Sequence, residues 1–161
     1  MVKEDLSGEI AGRFGPAVVS ASEAGGEAVL VVRADRLQGL MEGLKSAPFL
    51  YRMLLDITCV DYTPAGNGFE MVYHLYSLER NTRLRVKAAL SGNEPAVASL
   101  AGLWKNAEWL EREVFDMFGV RFEGHPYLRR ILLYDEFEGH PLRKNYPWRK
   151  EQPRIPLEDK D

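Results

Sequence analysis

Five of the nine prolines, Pro126, Pro141, Pro147, Pro153 and Pro156, fall in the last quarter of the chain. Each removes a backbone donor and pushes the preceding residue toward extended geometry, so neither a helix nor a central strand can run through this region. The charge changes at the same place. Residues 121–154 carry eight Lys/Arg against five Asp/Glu, a net of +3, whereas the whole chain sums to −3. These shifts divide the sequence into a folded body, residues 1–120, and an extended proline-rich C-terminal arm, residues 121–161.

The body reads as α+β. Leu6, Ile10 and Phe14, four apart, predict a short helix stopped by Gly15-Pro16. Ala17–Ser20 and Ala28–Val32 form apolar runs around Glu23-Ala24-Gly25-Gly26-Glu27, the pattern of a hairpin. Asp35 then stands as an N-cap with Gln38 as its capping-box partner. Leu37, Leu40, Met41 and Leu44 give the next helix its apolar face, and Pro48 ends it. Leu54–Tyr62, Phe69–Leu78 and Arg83–Leu90 are three strands on short connections, hence an antiparallel meander. Pro95 is placed to start a helix with the stripe Val97, Leu100 and Trp104. Asn106 caps the last helix, which carries Leu110, Val114, Met117 and Phe118 and ends at Gly119. The expected fold is thus an antiparallel sheet of mixed connections with helices packed on it, followed by the arm.

Composition removes several function classes. The lone cysteine, Cys59, can form no internal disulfide and cannot hold an iron–sulfur cluster, which generally takes four thiolates. It reads as a small buried hydrophobe. The uncharged run Pro95–Trp104 is ten residues, about half of what a bilayer crossing needs. No secretory h-region follows Met1. The chain is therefore expected in the cytoplasm, with membrane association only through a partner. Nucleic acid is a poor ligand for the arm, because Asp135, Glu136 and Glu138 interrupt its cations.

The densest polar cluster is Glu111-Arg112-Glu113-Val114-Phe115-Asp116. On a helix Glu108, Arg112 and Asp116 can pair along one face, and Glu113 lies three residues from Asp116. Two carboxylates in unlike environments could serve acid–base catalysis. A charged helix face that meets a partner is the reading preferred here, since no nucleophile, metal set or Gly-rich loop accompanies them. The arm adds a pseudo-repeat, Gly124-His125-Pro126-Tyr127-Leu128-Arg129-Arg130 and Gly139-His140-Pro141-Leu142-Arg143-Lys144. Two histidines alone make an incomplete zinc set. Each Gly-His-Pro instead sets a turn in which the imidazole can bond backbone, and the following Leu-Arg pairs an apolar anchor with a guanidinium fork.

Those residues bring a family into view. The run Glu111 to Val120, then Phe122, Gly124-His125-Pro126 and Leu128-Arg129-Arg130-Ile131-Leu132, resembles the signature of the respiratory complex I 30-kDa subunit family. The likeness extends through Gly139–Lys144 and Tyr146-Pro147, and upstream to Asp56-Ile57-Thr58, Asp61-Tyr62, Tyr73-His74-Leu75 and Arg83–Lys87, about residues 36–148 in all. Asn145 departs from the pattern, where the family more often has Asp. The resemblance implies a cofactor-free, non-catalytic subunit of NADH-quinone oxidoreductase. FMN and the iron–sulfur clusters would sit in partner subunits. It would pack on the 49-kDa (D) subunit, with the B and I subunits nearby, on the cytoplasmic side of the bacterial inner membrane. A related subunit of a membrane-bound hydrogenase, formate hydrogenlyase or ferredoxin-fed complex is the alternative. The residues expected to meet the partner are Glu111, Arg112, Glu113 and Asp116 on the helix. The arm adds His125, Leu128, Arg129 and Arg130, then His140, Leu142, Arg143 and Lys144, and finally Tyr146 and Trp148. With so little apolar alternation after Phe122, the arm is expected to order only against that partner.

Overall fold

The structure, a computed structural model, describes residues 6–92 and 94–154; the two ends of the expected body and arm, residues 1–5 and 155–161, lie outside the described residues. Helix α1 (Leu6–Phe14) leads into the hairpin of β1 (Val18–Ala24) and β2 (Glu27–Val32). Gly25 and Gly26 close it with φ of 62° and 80°, the doubly left-handed turn that matches strand twist. Helix α2 (Leu37–Lys45) follows, burying Leu37, Leu40, Met41 and Leu44. Then come β3 (Met53–Asp61), β4 (Phe69–Ser77) and β5 (Thr82–Leu90).

The five strands form one sheet in the order β1-β2-β5-β4-β3. The meander β3-β4-β5 is antiparallel, as its short turns require, but β2 joins it parallel to β5, with Ala28 opposite Leu84 and Val32 opposite Ala88. That parallel pair is not visible in local patterning, because both strands alternate alike whichever way they run. Phe69, Met71, Tyr73 and Leu75 of β4 face the core together with Leu84, Val86 and Ala88 of β5. The other face carries Arg85 and Lys87, bonded to Glu27 at 3.1 Å and Glu70 at 2.8 Å. Period-two alternation thus separates oil from charge across the sheet.

Three local expectations are corrected. Residues 95–104 are not helical. Ala96–Ala98 is a strand, β6, pairing parallel with β7 (Arg121–Glu123), and turns carry Leu100 and Trp104 into the core. Here long-range pairing wins, with the Arg121 amide donating to the Pro95 carbonyl and the Ser99 amide to the Glu123 carbonyl. Asp35 caps nothing: it lies in a 3-10 turn and takes both its hydrogen bonds from Arg33. Asn106 does precede helix α3 (Ala107–Phe118), but its side chain donates to the Leu54 carbonyl, tying α3 to β3. At the other end Gly119, φ 72°, terminates the helix as expected. A side chain there would also collide with His140 and Arg143.

Strand β7 puts Phe122 in the core, so the first three residues of the segment beyond 120 pack with the body. Residues 124–154 hold no helix or strand.

Candidate functional site

Helix α3 buries an unusual mixture: Ala107, Val114 and Phe118 on the apolar side, but also Glu111, Arg112 and Asp116. Charged groups are rarely buried without partners, so their bonds account for how this region folds. Glu111 accepts from the Ser99 hydroxyl and the Leu100 amide, both at 2.6 Å. Burial pushes its carboxyl above the ordinary glutamate range, and those two bonds only partly oppose this. Beside it the Tyr73 hydroxyl is buried with no hydrogen-bond partner among the described residues, and burial lifts that phenol well above its usual value. Burial likewise carries the Cys59 thiol up to about 12, with Asp61 adding to the effect, which leaves it protonated and inert.

Asp116 is a hub. Oδ1 accepts from Arg130 Nη1 at 2.7 Å, and Oδ2 accepts the amides of Ile131, Leu132 and Leu133 at 2.9–3.0 Å. Burial alone would raise this carboxyl. The Leu133 amide, the Arg130 guanidinium and the other two amides together hold it below the ordinary aspartate range. Arg130 reaches on to the carbonyls of Phe137 and Gly139. Arg112 sends Nε and Nη2 to the carbonyls of Arg129 and Arg130, both at 3.1 Å.

The two Gly-His-Pro turns dock on the same helix, one toward each end. The His125 Nδ1 accepts from the Tyr127 amide, so its Nε2–H donates to the Glu108 carbonyl at 3.0 Å. The His140 Nδ1–H donates to the Asp116 carbonyl at 2.9 Å. Burial holds His140 below the usual histidine range, which keeps it neutral for this role. The Leu142 amide meets the Met117 carbonyl, and Arg143 meets those of Phe118 and Gly119. The last carbonyls of α3, which no helix can satisfy internally, are thus capped by the second repeat. A second carboxylate, Asp61 at the end of β3, accepts the Lys144 amide at 2.7 Å.

The candidate residues therefore sort into two groups. Glu111, Arg112, Asp116, His125, Arg130, His140 and Arg143 form an internal clamp, with Leu128 packed against the core and Tyr146 stacked on Phe137. Glu113, Arg129, Leu142, Lys144 and Trp148 lie exposed. Two pairings expected from helical spacing are not made. Glu108, Arg112 and Asp116 do not pair with one another, because backbone carbonyls and Arg130 take the last two. Glu113 faces solvent while its supposed partner Asp116 is buried. The arm, expected to order only against another protein, is laid over its own α3. The reason is polar: it is held by buried carboxylates and helix-end carbonyls, which hydrophobic periodicity does not register.

Sequence reasoning missed Asp61 as an anchor. The Asp61-Tyr62-Thr63-Pro64 turn was its signal, since Asp61 also accepts from Thr63. It also missed the exposed Trp109 and Leu132. Among the described residues no group of three or more His, Cys, Asp or Glu is placed to hold a metal ion. None of their helices is long and apolar enough to cross a membrane. A concavity of about 960 Å³ lies elsewhere, between Leu6, Met53, Leu55, Tyr76 and Arg83.

The mixed five-stranded sheet with helices packed on it is a fold shared with a subunit of a respiratory membrane complex. One solved relative is a chain of the membrane-bound sulfane sulfur reductase, an archaeal respiratory membrane complex. It matches with a TM-score of 0.75 and 26% identity, over 88% of this chain and 83% of that one. The family described as the respiratory-chain NADH dehydrogenase 30 Kd subunit matches residues 30–152, and the chain belongs to it. The C 2 subunit of NADH-quinone oxidoreductase from Rhizobium meliloti is 45% identical over 141 residues, 87% of this chain and 77% of that protein. The C subunit of the Geotalea uraniireducens oxidoreductase is 39% identical over 135 residues, covering 84% and 82%. The fused C/D protein of Pseudomonas fluorescens is 41% identical over 155 residues; the match takes in 91% of this chain but 26% of that protein. A solved Nqo5 chain, described as a trypsin-resistant fragment (1-134), has a TM-score of 0.64 and 30% identity, covering 75% of this chain and 95% of that one.

Proposed function

We propose that the chain is a cofactor-free docking subunit in the peripheral arm of proton-translocating NADH-quinone oxidoreductase, and takes no direct part in electron transfer. The observation that carries this reading is how the acidic side chains of α3 are occupied. Glu111 is bonded at both oxygens, by Ser99 and Leu100, and Asp116 by four donors from residues 130–133. A carboxylate so engaged is structural, and neither Glu111 nor Asp116 is left free to serve as a general acid or base. The clamp in turn displays Tyr127, Leu132, Leu142 and Trp148 on the surface, Trp148 at 81% exposure. Large exposed side chains on a polar-braced segment have the composition of interface anchors.

The neighbour is the 49-kDa (D) subunit, with the B and I subunits close by, on the cytoplasmic side of the inner membrane. The single C/D chain of the Pseudomonas fluorescens relative supports that adjacency. The trypsin-resistant Nqo5 fragment supports a protected body. The test is a pull-down of the tagged chain from gently solubilised membranes. The 49-kDa subunit should accompany it, deletion of the chain should abolish NADH-driven quinone reduction, and the purified chain alone should turn nothing over. Recovery of the chain without other complex subunits would refute the reading. The likeness to the archaeal sulfane sulfur reductase complex favours one second reading, a homologous subunit in a complex with another electron donor. Quinone reduction driven by that donor but not by NADH would select it.

A further inference from the structure

Arg112 is engaged by the clamp but not neutralised by it. It is 7% exposed, yet its two hydrogen bonds go to carbonyl oxygens, and it forms no ion pair among the described residues. Its third nitrogen, Nη1, makes no hydrogen bond among them either. A guanidinium so deeply set ordinarily has a carboxylate, and here the unbonded Nη1 still opens to solvent. What surrounds it instead is aromatic. The guanidinium carbon lies 5.3 Å from the Trp109 ring centre and 6.0 Å from that of Tyr127. A second guanidinium, Arg129, lies 4.3 Å from the same Tyr127 ring and is also without an ion pair among the described residues. The acidic neighbours on α3, Glu108 and Glu113, pair with neither. Two cations thus share one phenol ring with no anion between them, while Trp109 and Tyr127 stand 58% and 52% exposed.

We propose that Trp109, Arg112, Tyr127 and Arg129 form a receptor for one carboxylate, an Asp or Glu side chain of the neighbouring subunit. This rests on the docking role proposed above and names the chemistry of the contact. Guanidinium forks match carboxylates in shape as well as charge. Arg129 and the free Nη1 of Arg112 supply the donors, and the two rings supply an apolar rim that keeps water from the bonded pair, the arrangement of an interface hot spot. A polyphosphate is the poorer occupant, because the chain as a whole is −3 and this site offers only two cations. The incoming carboxylate would neutralise a charge that the isolated chain leaves largely buried and unpaired among the described residues, so the site is complete only in the assembly.

The experiment uses tagged full-length chains expressed in cells that lack the native copy. Arg129→Gln combined with Trp109→Ala should weaken retention of partner subunits at least about thirtyfold, the effect of losing a desolvated charge pair. The melting of the purified variant should stay that of wild type, since both side chains are exposed. Arg129→Lys places an amine at the same point. Carbodiimide treatment of that assembled complex should join the introduced amine to a partner Asp or Glu, found by peptide mass spectrometry. Wild-type retention by the double variant, an assembled Arg129→Lys complex that yields no such link, or nucleic acid in place of a protein carboxylate would each overturn the proposal. Failure of the wild-type chain to bring down any partner would instead overturn the docking role itself.

Discussion

Asp116→Asn tests the clamp most directly. The wild-type carboxylate receives four donors at 2.7–3.0 Å, three of them consecutive backbone amides. The asparagine keeps one acceptor oxygen and turns an NH2 toward groups that are themselves donors. Hydrogen bonds to a charged acceptor contribute about 1.5–3 kcal/mol each, and stripping a buried ion of its partner costs about 3–5 kcal/mol. Leu132 is exposed, so water can reach this loop and replace part of what is lost. A net loss of about 2–4 kcal/mol in the seating of residues 130–133 follows. That corresponds to a local opening roughly 30- to 700-fold more frequent. Hydrogen exchange reads it residue by residue. The amides of Ile131, Leu132 and Leu133 should exchange faster by that factor, while those in the middle of β4 keep their rates, because the opening is local. Unchanged exchange at 131–133 would refute the argument that Asp116 organises the segment.

Acid should release the same segment. Burial would raise the Asp61 carboxyl, but the bonds from Thr63 and Lys144 hold it below the ordinary range, as the amides and Arg130 do for Asp116. A depressed carboxyl stabilises above its unfolded value, about 3.9, and the benefit is lost as pH falls through the lower folded value. The amide signals of Lys144 and Leu133 should therefore shift together below about pH 4; a titration in which they stay fixed while carboxylates elsewhere protonate contradicts this. Glu111 behaves oppositely. Its raised carboxyl costs stability as pH rises above the ordinary glutamate value of about 4.3, so Glu111→Gln should gain urea resistance relative to wild type with increasing pH. Parallel midpoint curves would exclude that. Phe122→Ala should lower the unfolding free energy of the body by about 3–5 kcal/mol. A loss below about 1 kcal/mol would mean that β7 is no part of the core.

Much of the body could be read from local pattern. Leu6–Phe14, the Gly25-Gly26 hairpin, the α2 stripe and the meander each rest on a period or a turn residue that survives in the fold. The failures share a cause. Val97, Leu100 and Trp104 have helical spacing, yet only pairing with residues 121–123, beyond the next helix, makes 96–98 a strand. The joining of β2 to β5 is equally non-local. In the site, helical spacing suggests that Glu108, Arg112 and Asp116 meet one another. In fact the latter two meet residues 129–133, whose position no periodicity encodes. What could be read was the bonding capacity of the Gly-His-Pro turns. Both imidazoles bond backbone, but the carbonyls they reach belong to α3.

The parallel seam between β2 and β5 sets an order on synthesis. The front hairpin emerges early, but the edge formed by Ala28–Val32 has no neighbour until residues 84–88 have been made. At about 5–20 residues per second, that leaves a row of valines and leucine uncovered for roughly 3–11 s on the ribosome. During that interval the nascent chain presents an open strand to whatever is nearby, and a holding chaperone is the natural guest.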